Sequence, residues 1–150
     1  MKIKIRPARK EDSKEIIRLI TELAKFEKLT PPDSKARQRL INDAFSKNPP
    51  FKILLAECDQ KIAGYAFYFF TYSTFLAKRT LYLEDIYIMD KFRNLSLGKL
   101  FMKRLSMLAY EKNCGRMEWI VLNWNKNAIR FYKGLGAVEM KEWKFFRITL

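Results

Sequence analysis

The chain predicts an α/β fold, a single mixed and mostly antiparallel sheet with helices on its faces, and three observations carry that expectation. Apolar residues recur at helical spacing in some stretches and in β-branched and aromatic runs in others. Turn-forming residues separate these stretches. Their order, βααβββαβαβ(β), puts antiparallel hairpins first and a βαβ unit after them, implying about six to seven strands and about four helices. No linker, low-complexity tract or internal repeat interrupts the 150 residues, so one domain over 1–150 is expected.

Residues 2–6 alternate charge with isoleucine and read as the first strand. Asp12, with Glu15 three positions on, resembles a capping box, and Ile16, Leu19, Ile20 and Leu23 follow at helical spacing to about Glu27. Pro31-Pro32 ends that region, and Asp33 is placed to cap a second helix through Ala36, Leu40, Ile41 and Ala44, ending near Ser46. After Asn48-Pro49-Pro50 the period changes. Residues 51–57, 62–72 and 80–88 read as strands, with Cys58-Asp59-Gln60-Lys61 as a hairpin turn. Residues 97–112 present Leu97, Leu100, Phe101, Leu105, Leu108 and Ala109 on one helical face. Residues 117–122 read as a strand, 125–133 as a short helix and 138–150 as one or two closing strands.

Composition narrows the chemistry. The chain has no histidine and two widely separated cysteines, Cys58 and Cys114. That pattern excludes the usual Cys/His zinc sites and any Cys-His or Ser-His pair, so no metal is expected and both thiols read as inert. Catalysis must then use carboxylates, tyrosine, backbone amides or a bound cofactor. Thirty Lys and Arg against 16 Asp and Glu give a net charge of +14, spread without a run of five. Such a surface attracts anionic ligands and repels cations at long range, so an amine site needs local acids. The N-terminus does not read as a secretory signal and no apolar run approaches a membrane span, so a cytoplasmic protein with no membrane partner is expected.

Two segments stand out as sites. Tyr82-Leu83-Glu84-Asp85-Ile86-Tyr87-Ile88-Met89 leads through a loop to Gly98, which opens a helix. Such a junction aims unpaired N–H groups and the positive end of a helix dipole at one point, which suits a pyrophosphate, and Arg93 and Lys99 add positive charge. The second is Asn125-Lys126-Asn127-Ala128-Ile129-Arg130-Phe131-Tyr132-Lys133-Gly134-Leu135-Gly136. Asn125 reads as its N-cap, Tyr132 falls two turns later near the same face, and Gly134 and Gly136 stop the helix.

Arg93-x-x-x-x-Gly98, followed by Asn125-x-x-Ala128-x-x-Phe131-Tyr132-x-x-x-Gly136, resembles the GNAT superfamily of N-acetyltransferases. Arg6-Pro7-Ala8, Leu23-Ala24-Lys25-Phe26-Glu27-Lys28-Leu29, Tyr72-Ser73-Thr74, Tyr82-Leu83-Glu84-Asp85-Ile86-Tyr87 and Trp143-Lys144-Phe145-Phe146 extend the likeness over nearly the whole chain. They are similar to its diamine (spermidine/spermine) acetyltransferase branch, most of all to thialysine N-epsilon-acetyltransferase-like members.

The resemblance implies a GNAT fold and acetyl-CoA as donor. It implies that Ile86, Tyr87 and Ile88 pair their backbone with the pantetheine arm. Arg93, Asn94, Leu95, Ser96, Leu97, Gly98 and Lys99 would hold the pyrophosphate. Asn125, Lys126, Asn127 and Ala128 would contact the rest of the cofactor. Tyr132 would stand beside the sulfur as general acid. Phe26, Glu27, Ser73, Glu84, Glu118, Trp119, Ile120 and Trp143 would line the amine site, with Glu84 as base, and the protein would be a homodimer. One departure is evident. The family's loop usually reads Arg-Gly-x-Gly-x-Gly, and here Asn94 and Ser96 replace two glycines. Asn adopts the left-handed conformation more readily than Ser.

The implied reaction is direct transfer of an acetyl group to the primary amine of a small cationic acceptor: a diamine, a polyamine or a thialysine- or lysine-like amine. Ser73 offers no negative charge, which favours a shorter amine over a long polyamine. A second reading keeps the fold and acetylates protein N-termini or lysines, since one scaffold carries many acceptors. A third is a basic nucleic-acid-binding domain; against it, the lysines form no stripe and no nucleic-acid motif is present.

Overall fold

Five strands lie side by side in chain order in the computed structural model, which describes residues 1–150. They are β1 (Ile3–Pro7), β2 (Lys52–Cys58), β3 (Lys61–Ser73), β4 (Lys78–Ile88) and β5 (Arg116–Glu118). The first four pair antiparallel, and β5 joins β4 in parallel. The helices are α1 (Ser13–Phe26), α2 (Ser34–Ala44), α3 (Leu97–Glu111) and α4 (Lys126–Gly134). Met1–Trp119 and Ile120–Leu150 form two compact units.

The β2–β3 hairpin turns at Asp59 (φ 47°) and Gln60 (φ 66°). Two successive positive φ values are what a two-residue type I′ turn needs to match strand twist. Alternation along β3 then sorts its aromatic residues between faces. Tyr65 and Phe67 join Ile53, Leu55 and Tyr87 under Ile16, Leu19 and Leu23 of α1. Residues of the other phase, including Leu54, Ala56, Ala66, Leu81 and Leu83, are also buried, as are Leu97, Phe101, Met102, Leu105 and Ala109 of α3.

Arg6 fastens the start of the chain to this sheet. Its side chain is buried and makes a bidentate pair with Asp12 (2.8 and 2.9 Å) and a 2.6 Å bond to Glu57. The Asp12 carboxylate also accepts from Arg9 N at 2.7 Å. Asp12 therefore does not cap α1 in the way the Asp12–Glu15 spacing suggests: its oxygens are engaged by the guanidinium of Arg6 and by Arg9 N–H, where it closes a capping box on the 3₁₀ turn before α1. At α2 the expected cap forms, with Asp33 Oδ1 accepting from Ala36 N at 2.8 Å.

The expectation of six to seven strands is corrected to five. β5 covers three residues, Arg116 to Glu118, and residues 138–150 hold no strand. There the backbone folds on itself, Lys141 N donating to Glu139 O and Trp143 N to Met140 O. Beyond that turn, the consecutive Phe145 and Phe146 break the period-two pattern that a half-buried strand needs. In the same unit α4 ends in a Schellman motif: Gly136 (φ 89°) donates to Lys133 O and Ala137 to Tyr132 O. Gly136 is thus the residue that stops the helix, while Gly134 is its last turn.

Gly64 marks the tightest crossing of β3 on β4. A Cβ there would lie 2.4 Å from Tyr87 O and 3.1 Å from Ile88 Cα, both backbone atoms that cannot swing aside. Gly64→Ala is expected to lower stability by about 1–3 kcal/mol, read as a shift in urea midpoint at constant slope. A second expectation concerns acid. Hydrogen bonding to Arg6 holds the Asp12 carboxyl below its ordinary range, so its contribution is complete above the unfolded value of about 3.9 and is lost as pH falls through the folded one. Asp12→Asn should lower stability at pH 7 and flatten its decline below about pH 4 in urea titrations.

Candidate active site

Strand β4 carries one residue more than β3 at its centre. Phe67 lies opposite Asp85 and Tyr68 opposite Leu83, so Glu84 is the bulged residue with no partner of its own. A bulge re-aims side chains and often sits beside an active site. Here it brings two adjacent carboxylates, Glu84 and Asp85, to the wall of one cleft of about 560 Å³. The other walls are Ile20, Leu40, Pro50, Phe51, Phe67 and Phe69.

Glu84 is exposed and Asp85 is partly covered. Tyr65, fully buried, donates its hydroxyl to Asp85 Oδ2 at 3.1 Å. Burial and the neighbouring charge of Glu84 push Asp85 up to about 6, against the bond from Tyr65, which lowers it. The same burial, with the Asp85 charge next, drives the Tyr65 phenol well above its ordinary range. Glu27, the C-cap of α1, is also raised, by burial first and then by Glu84. Glu27, Glu84 and Asp85 therefore act as one electrostatic cluster. A second hollow of about 270 Å³, beside Ala8, Phe45 and Ile53, has Lys52 as its one charged lining group and no acid.

At its far end β4 passes through a 3₁₀ turn, Asp90–Phe92, to the loop before α3. Asn94 (φ 67°) and Ser96 (φ 59°) both stand in the left-handed region. These are the two positions where glycine is usual, so the loop keeps a glycine-like path at a cost of roughly 1–2 kcal/mol per residue. Ser96 makes no side-chain cap, so the first N–H groups of α3, from Leu97, Gly98 and Lys99, have no helical partner. Buried Leu97 anchors this turn while Lys99 stays exposed. Outward N–H groups at a helix start fit a pyrophosphate. Meanwhile β5 pairs with β4 at Thr80, Leu81 and Tyr82 only. Within the first unit, the outer edge of residues 83–88 thus has no strand neighbour, and an extended ligand arm can pair with it as a strand would.

Arg93 is occupied structurally. Its Nε donates to Ile88 O (3.2 Å), its Nη2 pairs with Asp90 (2.8 Å), and its guanidinium lies over the rings of Phe26 (5.3 Å) and Tyr87 (5.9 Å). It ties the loop to β4 and to the end of α1. Tyr87 is itself a core side chain, its hydroxyl donating to Glu22 Oε2 at 3.4 Å, so only its backbone is free to serve a ligand.

The structure thus brings Phe26, Tyr87 and Arg93 together, and Glu27 with Glu84. Ile86 and Ile88 lie on the open edge, and residues 94–99 form the loop and the start of α3. Ser73 stands apart: buried, it accepts from Leu76 N (3.2 Å) to close the β3–β4 turn. Along β3 that is roughly 17 Å from the bulge, at 3.3–3.4 Å per residue. Glu118 lies opposite Tyr82 and pairs with Arg116; Trp119 follows it. Ile120, Trp143 and the α4 residues fall in the second unit. In that unit Asn125 Oδ1 caps α4 through Ala128 N (3.3 Å), and Tyr132 lies on α4 with its ring 5.3 Å from that of Phe131. Lys126 and Asn127 are exposed on the helix's first turn. Burial pushes both thiols, Cys58 and Cys114, upward, which keeps them protonated.

Asp85 and Tyr65 are the site residues absent from the sequence-based set. The signal for Asp85 was partial: of two successive acids in a half-buried strand, one must face the covered side unless the register shifts. Tyr65 carried none, since a buried tyrosine in β3 reads as core.

The family model described as "Acetyltransferase (GNAT) family" matches residues 16–137, across both units. Thialysine N-epsilon-acetyltransferase of Mus musculus is 39% identical over 96% of this chain and 91% of its own length. Spermidine/spermine N(1)-acetyltransferase-like protein 1 of Homo sapiens is 35% identical over 97% of this chain, which spans 22% of that longer protein. Among solved structures, AAC(6')-Iy in complex with a CoA bisubstrate analog superposes with a TM-score of 0.83 over 100% of both chains at 17% identity, a likeness of fold. By the family match and by its relatives, the chain belongs to the GNAT family of acetyltransferases and is an N-acetyltransferase.

Proposed function

We propose that this enzyme transfers the acetyl group of acetyl-CoA directly to the primary amine of a small cationic acceptor held at Glu84 and Asp85. The observation that carries the reading is the bulge, which sets two carboxylates in a cleft of a protein whose net charge is +14. Only such a local concentration of acid offsets the general repulsion of a cation. The names of the mouse and human relatives support an amine acceptor, and the CoA analog bound by the solved neighbour supports the donor.

Acetyl-CoA, when bound, supplies the acetyl group as a thioester. The N–H groups of residues 94–99 would hold its pyrophosphate, and the open edge at Ile86, Tyr87 and Ile88 its extended arm. Asn125, Lys126, Asn127 and Ala128 are the contacts this reading adds from the start of α4. An alkylammonium of pKa about 10.4 leaves roughly one molecule in 2,500 neutral at pH 7, so a proton must leave before attack. Glu84, exposed on the bulge, takes it directly or through water. The amine nitrogen then bonds to the carbonyl carbon as the C–S bond breaks. Backbone N–H groups along residues 86–88 would meet the oxygen as it gains charge. Tyr132 is the group this reading assigns to protonate the departing sulfur. At reference values of about 10 and 8.5 that transfer is uphill by roughly 2 kcal/mol, which a hydrogen-bonded site reduces. The nitrogen's second proton leaves to solvent, so an ammonium and a thioester yield an amide, a thiol and one proton.

Thiol release from acetyl-CoA should proceed with small amines, and Tyr132→Phe and Glu84→Gln should each lower kcat on the order of 10²-fold. Turnover indifferent to both substitutions would overturn the mechanism, and turnover with a peptide N-terminus alone would replace the acceptor by a protein. The pH dependence has a definite sign. Asp85 gains its charge as pH rises through about 6, and that charge favours a bound ammonium. The KM for the amine should therefore fall several-fold between pH 5 and 7, and Asp85→Asn should flatten the change.

A further inference from the structure

The acid pair accounts for the acceptor's amine but not for its body. Glu84 and Asp85, neighbours on one bulge, are the only charged groups lining the cleft. Glu27, whose charge is felt by Asp85 and Tyr65, adds to the same end. Every other wall is apolar: Ile20 from α1, Leu40 from α2, Pro50 and Phe51 ahead of β2, and Phe67 and Phe69 from β3. The rings of Phe51 and Phe67 stack on each other at 4.1 Å and 24°, so that part of the wall is aromatic.

This layout treats one charge and two charges differently. The first ammonium meets carboxylates. A second, at the far end of a diamine, would shed its water against phenylalanine and leucine with no acid to receive it. Phenylalanine faces return only a weak cation attraction. An apolar tail in the same place gains from leaving water, and an aromatic one also stacks on the wall. The +14 surface acts in the same sense, since it repels each additional positive charge on an approaching acceptor.

We propose that the preferred acceptor is a primary monoamine with a single positive charge and an apolar, aromatic-ended tail, an arylalkylamine, in preference to a diamine or polyamine. The proposal rests on the acetyl-transfer reading above and specifies its substrate class.

The test pairs a monoamine and a diamine of like length and adds an arylalkylamine and a polyamine. Thiol release at pH 7 and saturating acetyl-CoA would be followed with pentylamine, 1,5-diaminopentane, 2-phenylethylamine and spermidine. Both monoamines should exceed both polycations in kcat/KM by at least tenfold, with 2-phenylethylamine the best. Leu40→Asp, which adds a carboxylate to the apolar wall, should narrow or reverse the ratio of pentylamine to 1,5-diaminopentane. Wild-type preference for 1,5-diaminopentane or spermidine would overturn the proposal while leaving acetyl transfer to amines intact. An unchanged ratio in Leu40→Asp, with the variant's circular dichroism matching wild type, would overturn the assignment of this wall to the acceptor's tail. No thiol release with any amine would overturn the acetyl-transfer reading itself.

Discussion

The extra residue in β4 is the constraint on which the arrangement of this enzyme's acids depends. An unbulged antiparallel ladder sends neighbouring side chains to opposite faces, and Glu84 and Asp85 would then be divided between two sides of the sheet. With Glu84 unpaired, both carboxylates reach one cleft, and the charge of Glu84 acts on Asp85. The rise of Asp85 to about 6 follows from that proximity and from burial, and the hydroxyl of Tyr65 steadies the carboxylate in place. The same strand supplies the open edge, because β5 leaves it after Tyr82. One strand therefore carries two carboxylates in a cleft and an unpaired backbone edge.

Elsewhere the chain tolerates local cost to hold these features. Asn94 and Ser96 keep a path that suits glycine, although L residues are disfavoured there. Buried Leu97, one residue on, and the contacts of Arg93 with Asp90, Ile88, Phe26 and Tyr87 oppose relaxation of the loop. At the opposite edge of the sheet, Arg6 with Asp12 and Glu57 joins β1, the turn before α1 and β2. Breaking one member of such a group leaves a buried charge, which costs more than the pair contributes.

Much of the fold was legible because it rests on local pattern. Helical spacing located α1 and α3 to within a residue or two, and Asp33 and Asn125 cap α2 and α4 as their positions suggest. The reading failed at one cap and at the C-terminal strand. Asp12 was drawn from its capping role by Arg6, whose approach no local pattern announces. The apolar run at residues 138–150 met the compositional test for a strand, yet a turn at residues 139–143 interrupts it.

The sequence by itself determined most of the alternation of helix and strand, the caps of α2 and α4, the β2–β3 hairpin turn, the family and the absence of histidine. Each depends on residue type and near neighbours, which a linear string records in full. Tertiary structure alone decided that Asp85 and Tyr65 join the acid cluster, that Arg93 is spent on Phe26 and Asp90, and that the cleft behind the acids is walled by phenylalanine and leucine. Those outcomes hang on the register between strands and on the packing of α1 and α2 over the sheet. A register shift of one residue moves a side chain to the other face without changing any local preference.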